Sequence, residues 1–261
     1  MINKLNDLDG KNWLLFTKSW FTVNAKARSK DEIQHPAKYP EELVEEFVQF
    51  FTKENETVFD PFLGVGSTIV GAENCNRRGI GIELNEKFFD ISKKRIDLTK
   101  DKIFCGDCRK EIANIKNESI DYIITSPPYW NILRKKRGHS DSQHSDRSQK
   151  GLDLYYSDDD LDLGNIDDYD IFLDELVKIF KKCIKKLKSK KYMTIVIQNF
   201  RNNDGQYMTL AWDLAKKLNK YIDFVGEKIW IQENKKLGIW GFKSSFVPNI
   251  HHHYCLIFRK R

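Results

Sequence analysis

Residues 56–84 read ETVFDPFLGVGSTIVGAENCNRRGIGIEL, and the order of elements in this stretch decides the fold. A short β-rich run, ETVFD, breaks at a Gly-x-Gly turn (Gly64 and Gly66). A helical stretch from Ser67 to Asn74 then leads into a second apolar run, GIGIEL. Strand, tight turn, helix and strand in about thirty residues are the signature of a parallel βαβ unit. Glycines at such a turn let the backbone approach a ligand closely, and the amides that open the helix present positive potential to an anionic group.

Outward from this unit the same alternation continues. Strands are predicted at 56–60, 79–84, 102–107, 120–126, 192–198, 224–232 and 252–260, and helices at 41–51, 67–74, 86–98, 168–187 and 209–218. The longest helix places Ile171, Leu176, Ile179 and Ile184 near one face and ends in a solvated lysine run that suits the helix dipole. The last two strands are joined by ENKKLGIWGFKSSFVPNI without a helix, so they should pair antiparallel at one sheet edge. The expected fold is therefore α/β, a doubly wound, Rossmann-like sheet of seven strands, mostly parallel, with a C-terminal antiparallel hairpin. One domain, 1–261, accounts for the chain. It carries an aromatic and basic N-terminal extension (1–40, with Trp13, Phe16, Trp20 and Phe21 beside Lys26, Arg28 and Lys30) and a polar insertion (131–165).

Composition narrows the class. With 40% hydrophobic and 31% charged residues the chain reads as globular, and a net charge of +6 tilts modestly towards an anionic partner. No run of about 18 apolar residues is present and the first residues do not resemble a signal peptide, so no membrane association and a cytoplasmic location are expected. Five scattered cysteines do not read as a disulfide framework, and Cys105-x-x-Cys108, without a second such pair, reads as ordinary thiols. No metal is expected at His251, His252 and His253, because neighbours in a strand point to opposite faces and cannot converge on one ion.

Two acids stand at strand ends, where open α/β sheets bind ligands. Glu83 closes the second strand and could accept both hydroxyls of a ribose; Asp107 follows the third and could accept the amino hydrogens of an adenine. The fourth strand runs into Thr125-Ser126-Pro127-Pro128-Tyr129-Trp130. Its two prolines fix φ and remove two donors, which makes a stiff turn.

DPFLGVGST followed by GIGIELNEKFFDISKKRI resembles the first and second motifs of the DNA amino-methyltransferases, the N-4/N-6 DNA methylase family. The resemblance implies a class I methyltransferase fold and S-adenosylmethionine as cofactor, held by Asp60, Pro61, Phe62, Gly64, Gly66, Ser67, Thr68, Glu83, Leu84 and Asp107. The preceding HPAKYPEELVEEFVQFF resembles the motif which that family sets against the methionine end of the cofactor, and it adds His35 and Pro36. Here the lysine stands one place before Tyr39 rather than next to Pro40, so the stretch is carried over loosely.

In the same family the Ser-Pro-Pro-Tyr turn is the catalytic motif, which assigns Ser126, Pro127, Pro128 and Tyr129 to the chemistry. An exocyclic amine on an aromatic ring is a poor nucleophile because its lone pair is delocalised. The Ser126 hydroxyl and the Pro127 carbonyl could hold the amine hydrogens and turn that lone pair outward, which is positioning and electrostatics rather than covalent catalysis. Tyr129 would stack on a base taken out of the duplex, and Trp130 is a second stacking candidate. Serine in the first position resembles the cytosine-N4 enzymes more than the adenine ones. Ring-carbon methylation, which needs a cysteine nucleophile, is disfavoured because none of the six prolines precedes a cysteine.

Phosphate contacts are expected from Arg134, Lys135, Lys136 and Arg137, and base reading from the 131–165 insertion with help from the 235–249 hairpin loop. The cofactor motif precedes the catalytic motif, the reverse of the commonest order for serine-type enzymes. The expected function is restriction–modification-type DNA methylation at cytosine N4. An RNA base amino-methyltransferase, an adenine-N6 DNA methyltransferase and a non-catalytic cofactor- or nucleic-acid-binding module are the alternatives. The resemblance is compatible with a restriction endonuclease partner and with a monomer or a homodimer.

Overall fold

The computed structural model describes residues 3–24, 39–130, 161–202 and 205–261. In chain order the elements are α1 (Gly10–Phe16), β1 (Trp20–Thr22), α2 (Glu41–Phe51), β2 (Thr57–Asp60), α3 (Ser67–Asn74), β3 (Arg78–Glu83), α4 (Glu86–Arg95), β4 (Lys102–Cys105), α5 (Cys108–Glu111) and β5 (Ile120–Thr125). They continue with α6 (Tyr169–Lys186), β6 (Leu187–Ile197), β7 (Phe200–Arg201), β8 (Tyr207–Met208), α7 (Leu210–Leu218), β9 (Asp223–Ile231) and β10 (His252–Arg259). Eight strands form one sheet in the order β1-β9-β10-β6-β5-β2-β3-β4, and β7 and β8 form a separate small ribbon. From β2 the chain winds outward through β3 to β4, then returns to β5 on the other side of β2. The switch point of the sheet therefore lies between β2 and β5.

The central strands are buried on both faces, which is why they read as continuous apolar runs. Phe59, Ile123, Ile195 and Ile197 face a core formed with α6 and α7, whereas Val58, Tyr122, Ile124 and Val196 face α2. Helix α6 buries Phe172, Leu173, Leu176, Val177, Ile179, Phe180, Cys183 and Ile184, while Ile171, expected on the same face, is 57% exposed. It stands one position past the buried stripe. Asp168 caps this helix by accepting from the Ile171 N–H at 2.8 Å.

Three departures from the sequence reading have local causes. Helix α4 ends at Arg95 rather than Leu98, because Ile96 turns extended and packs with Leu63 and Ile69. Strand β6 begins at Leu187, so the lysine run there is partly strand. The Asp121 carboxylate of β5 takes Lys188 at 2.8 Å, and Glu56, just before β2, takes Lys191 at 2.5 Å. The hairpin β9–β10 does not form the sheet edge, because β1 from the N-terminal extension pairs parallel with β9.

The described part of that extension, residues 3–24, packs onto the domain. Phe16 stacks on Phe50 with centroids 3.9 Å apart, Phe21 meets Phe47 at 5.7 Å, and the Lys228 ammonium donates to the Phe16 carbonyl while lying 3.7 Å from the centre of its ring. Among the described residues no helix is long and apolar enough to cross a membrane.

Strand β3 has to accept the loop that follows β2 directly on its surface, and glycine makes the room. A Cβ on Gly81 would stand 2.7 Å from Leu63 Cδ2. Gly81→Val should therefore cost about 1–3 kcal/mol by overpacking, read as a lower urea midpoint, and should weaken ligand binding in the adjoining cleft by displacing Leu63.

Candidate active site

At the carboxyl ends of the parallel strands a cleft of about 860 Å³, open to solvent, is lined by residues 61–65 after β2, 83–85 after β3, 106–109 after β4, and Ser126 and Pro128 after β5. Residues 161–163 and Ile179 close the opposite wall. Strands β2 and β5 pair directly, with Phe59 beside Ile123. The glycine turn and the Ser-Pro-Pro-Tyr turn consequently open onto the same cleft.

Asp60 ties these turns together. It is 1% exposed, and its carboxylate accepts from the Phe62 N–H at 2.9 Å, from the Tyr39 hydroxyl at 3.1 Å, and from the hydroxyls of Thr68 and Thr125. Burial raises its pKa, and the hydrogen bonds from Thr125, Thr68, Phe62 and Tyr39 oppose that rise. These donors come from the segment before α2, the turn and first residues of α3, and the end of β5.

Glu83 sits on the cleft floor with its two oxygens accepting from the Gly64 N–H at 2.7 Å and the Asn85 N–H at 2.8 Å. Burial is the main cause that pushes its pKa up to about 7, with the charges of Asp60 and Asp162 adding to it. Gly66 adopts φ of +92°, which a side chain would strain, and its residue-wide turn delivers the chain into α3. The turn is held from outside by Arg95, which donates to the Val65 carbonyl and to Glu41 at 2.7 Å; Glu41 in turn accepts from the Ser67 hydroxyl at 2.9 Å. Asp107 caps α5 and is paired with Arg109, accepting from its N–H at 2.8 Å and its Nε at 2.9 Å. Cys108 lines the cleft as a neutral thiol, its pKa pushed up to about 12 by burial.

In the Ser-Pro-Pro-Tyr turn the Ser126 and Tyr129 hydroxyls are 3.0 Å apart, and the Tyr129 hydroxyl donates to the Val196 carbonyl at 3.3 Å. Burial raises the Tyr129 pKa, so its phenol stays protonated. The Tyr129 ring lies 6.1 Å from that of His253, which stacks on Trp230 at 4.8 Å.

Of the residues picked out in the sequence, Pro61, Phe62, Gly64, Ser67, Glu83, Leu84, Asp107, Ser126 and Pro128 line the one cleft. Pro127 is buried between Ser126 and Pro128, and neither Gly66 nor Tyr129 is among the residues that line the cleft. Asp60 and Thr68 do not line the cleft. Their polar atoms bond to each other behind the loop, so the expectation that they touch the cofactor is corrected to a role in shaping the loop. Trp130 is also corrected: its indole N–H donates to the Ile166 carbonyl at 2.8 Å, and its ring packs against Tyr169 and Phe200 rather than standing ready for a base. His35, Pro36, Arg134, Lys135, Lys136 and Arg137 lie outside the described residues. Tyr39, Arg109, Asp162, Leu163 and Ile179 belong to the site's surroundings without having been singled out. Only Tyr39, inside the HPAKYP stretch, carried any local signal; the others arrive from distant segments through the winding of the chain.

A methyltransferase-type sheet with this cleft at its switch point defines the class. In fold the chain is like an rRNA methylase from Streptococcus thermophilus, with a TM-score of 0.50 at 11% identity, covering 86% of this chain and 99% of that one. Residues 6–94 match the DNA methylase family model for N6 and N4 enzymes. The type II methyltransferase M.BglII of Bacillus subtilis is 36% identical over 126 residues, which is 48% of this chain and 34% of that protein. The orphan methyltransferase M.BamHII of Bacillus amyloliquefaciens is 38% identical over 80 residues, 30% of each. The matches thus span 34% and 30% of the length of these curated relatives. Over these stretches the chain is similar to the N4/N6 DNA methylases.

The cleft fits S-adenosylmethionine, the cofactor of that fold. Glu83 after β3 and Asp107 after β4 place carboxylate acceptors in the cleft that could take hydroxyl or amino hydrogens of the cofactor. Leu63, Phe62 and Leu163 supply apolar walls, and the glycine turn keeps the backbone close.

Two measurements follow. Asp60→Ala leaves three hydroxyls and one amide without their acceptor and should cost about 3 kcal/mol or more, a far larger shift in urea midpoint than Ser126→Ala produces. For Glu83, hydroxyls of a ribose held there would donate best to the charged carboxylate, which exists above a pKa of about 7. Cofactor affinity should therefore be level above that pH and fall as pH drops through it, by up to about tenfold per unit. Titration calorimetry of Glu83→Gln should show weaker binding without this pH dependence.

Proposed function

We propose that this chain transfers a methyl group from S-adenosylmethionine to the exocyclic N4 amine of cytosine in DNA, on a base flipped out of the duplex. The observation that carries the reading is the common cleft lined by Gly64 and Val65 of the glycine turn and by Ser126 and Pro128 of the Ser-Pro-Pro-Tyr turn, at the carboxyl ends of two adjacent strands. The match of residues 6–94 to the DNA methylase family model and the likeness to relatives named type II methyltransferases support DNA as the substrate.

When bound, the cofactor supplies an electrophilic methyl group. The protein's part is to present the amine. With the single Tyr129 proton directed to the Val196 carbonyl, the Ser126 hydroxyl donates to Tyr129 and keeps its lone pairs for an incoming amine hydrogen. The Pro127 carbonyl takes the second hydrogen, and the amine nitrogen's lone pair is left directed into the cleft. The surplus proton is acidic once the nitrogen is alkylated and leaves to water, so no strong base is needed. The Tyr129 ring supports the base face. Glu83 and Asp107 orient the cofactor by its ribose and adenine. Acting beside a restriction endonuclease belongs to the same reading, supported by the type II relative.

Incubation with tritiated cofactor and unmethylated mixed-sequence DNA, followed by nucleoside digestion and mass spectrometry, should yield N4-methylcytosine. N6-methyladenine would overturn the base assignment, label in RNA alone would overturn the substrate, and no transfer would overturn the enzyme. Ser126→Ala should lower kcat on the order of 10²-fold with the cofactor Kd unchanged.

A further inference from the structure

The loop that joins β9 to β10 carries apolar surface that the fold does not use. Leu237, Ile239, Phe242 and Phe246 are 77%, 84%, 74% and 85% exposed. A cluster of large apolar side chains held in water on one loop is the kind of patch that marks an interaction site. A hydrogen-bonded frame sets these side chains outward. The Asn249 amide accepts from the Gly238 N–H at 2.8 Å and donates to the Gly238 carbonyl at 2.9 Å. It also accepts from the Trp240 indole at 3.2 Å, and the N–H groups of Ser244 and Ser245 donate to the Gly241 carbonyl.

The foot of the loop adjoins the catalytic turn. β9 and β10 are antiparallel, and β10 is antiparallel to β6, so the loop emerges at the carboxyl ends of β5 and β6. There the Gln232 N–H donates to the His251 carbonyl at 2.8 Å, and Trp230 stacks on His253, whose ring lies 6.1 Å from that of Tyr129. The charge of the segment suits a polyanion: Lys235, Lys236 and Lys243 stand against the single acid Glu233, and Lys236 and Lys243 are exposed beside the apolar residues.

We propose that this loop is a duplex-opening wedge. Its apolar side chains enter between base pairs next to the target and fill the space that a flipped base vacates, while Lys236 and Lys243 meet the flanking phosphates. This deepens the DNA-methylation reading and rests on it. Unstacking a base step costs free energy, and a rigid apolar wedge on the rim of the cleft offsets that cost at the place where the base leaves the helix.

The test compares wild type with Phe242→Ala/Phe246→Ala and with Leu237→Ala/Ile239→Ala, all at exposed positions, using native and heat-denatured mixed-sequence DNA fragments. Affinity for native duplex should fall about tenfold or more, turnover on native DNA should fall more than on denatured DNA, and the cofactor Kd should be unchanged. Wild-type affinity and turnover on native duplex in both variants would overturn the proposal. So would an equal loss on native and denatured DNA. So would binding of wild type to anionic phospholipid vesicles that the variants lose while duplex binding stays intact, which would assign the loop to a lipid surface. Failure of the parent reading looks different: wild type would leave all DNA unlabelled while the loop variants still lowered duplex affinity.

Discussion

The Asp60 carboxylate, closed off from water at the end of β2, accepts from four donors that three separate stretches of chain bring to it: Tyr39, the Phe62 amide with Thr68, and Thr125. A buried carboxylate is costly unless its lone pairs are met, and here the cost is offset by donors that fix the geometry of the whole carboxyl edge. Thr125 immediately precedes Ser126, Thr68 lies in the first turn of the helix after the glycine turn, and Tyr39 lines the cleft from the side of α2. The distance between the glycine turn and the Ser-Pro-Pro-Tyr turn is thereby set by one side chain that does not itself line the cleft.

A second layer of the same design lies on β3. Glu83 draws the Gly64 and Asn85 amides onto its oxygens, so the glycine loop is held between Asp60 behind it and Glu83 in front. Arg95 and Glu41 brace the far side of the turn. The backbone amides that would face an anionic ligand are thus ordered before any ligand arrives, which lowers the entropic cost of binding.

The N-terminal extension and the hairpin share the other half of the sheet. Lys228, 5% exposed, spends its charge on the Phe16 carbonyl and on the faces of Phe16 and Phe21, and so fastens α1 and β1 over β9. Strand β9 is stiffened from both sides by β1 and β10, a firm base for a loop whose apolar residues point to water.

By itself the sequence determined the order of the main strands and helices, the doubly wound topology and the position of the glycine and Ser-Pro-Pro-Tyr turns. Periodicity, glycine and proline are local signals, and the pattern in residues 56–84 and in TSPPYW is complete within a few residues. Helices 41–51 and 67–74 were legible to the residue because their apolar faces and flanking turns are all contiguous. What only the tertiary structure decided is which polar groups meet. Asp60 reads in the sequence like a ligand contact, yet Thr125, distant in sequence, claims its oxygen; Trp130 reads like a base stacker, yet the Ile166 carbonyl takes its N–H. The walls supplied by Asp162, Leu163 and Ile179 and the eighth strand at Trp20–Thr22 have no local signature either. Hydrogen bonds and packing between distant segments depend on where the crossovers deliver them, and that is a property of the folded chain in space.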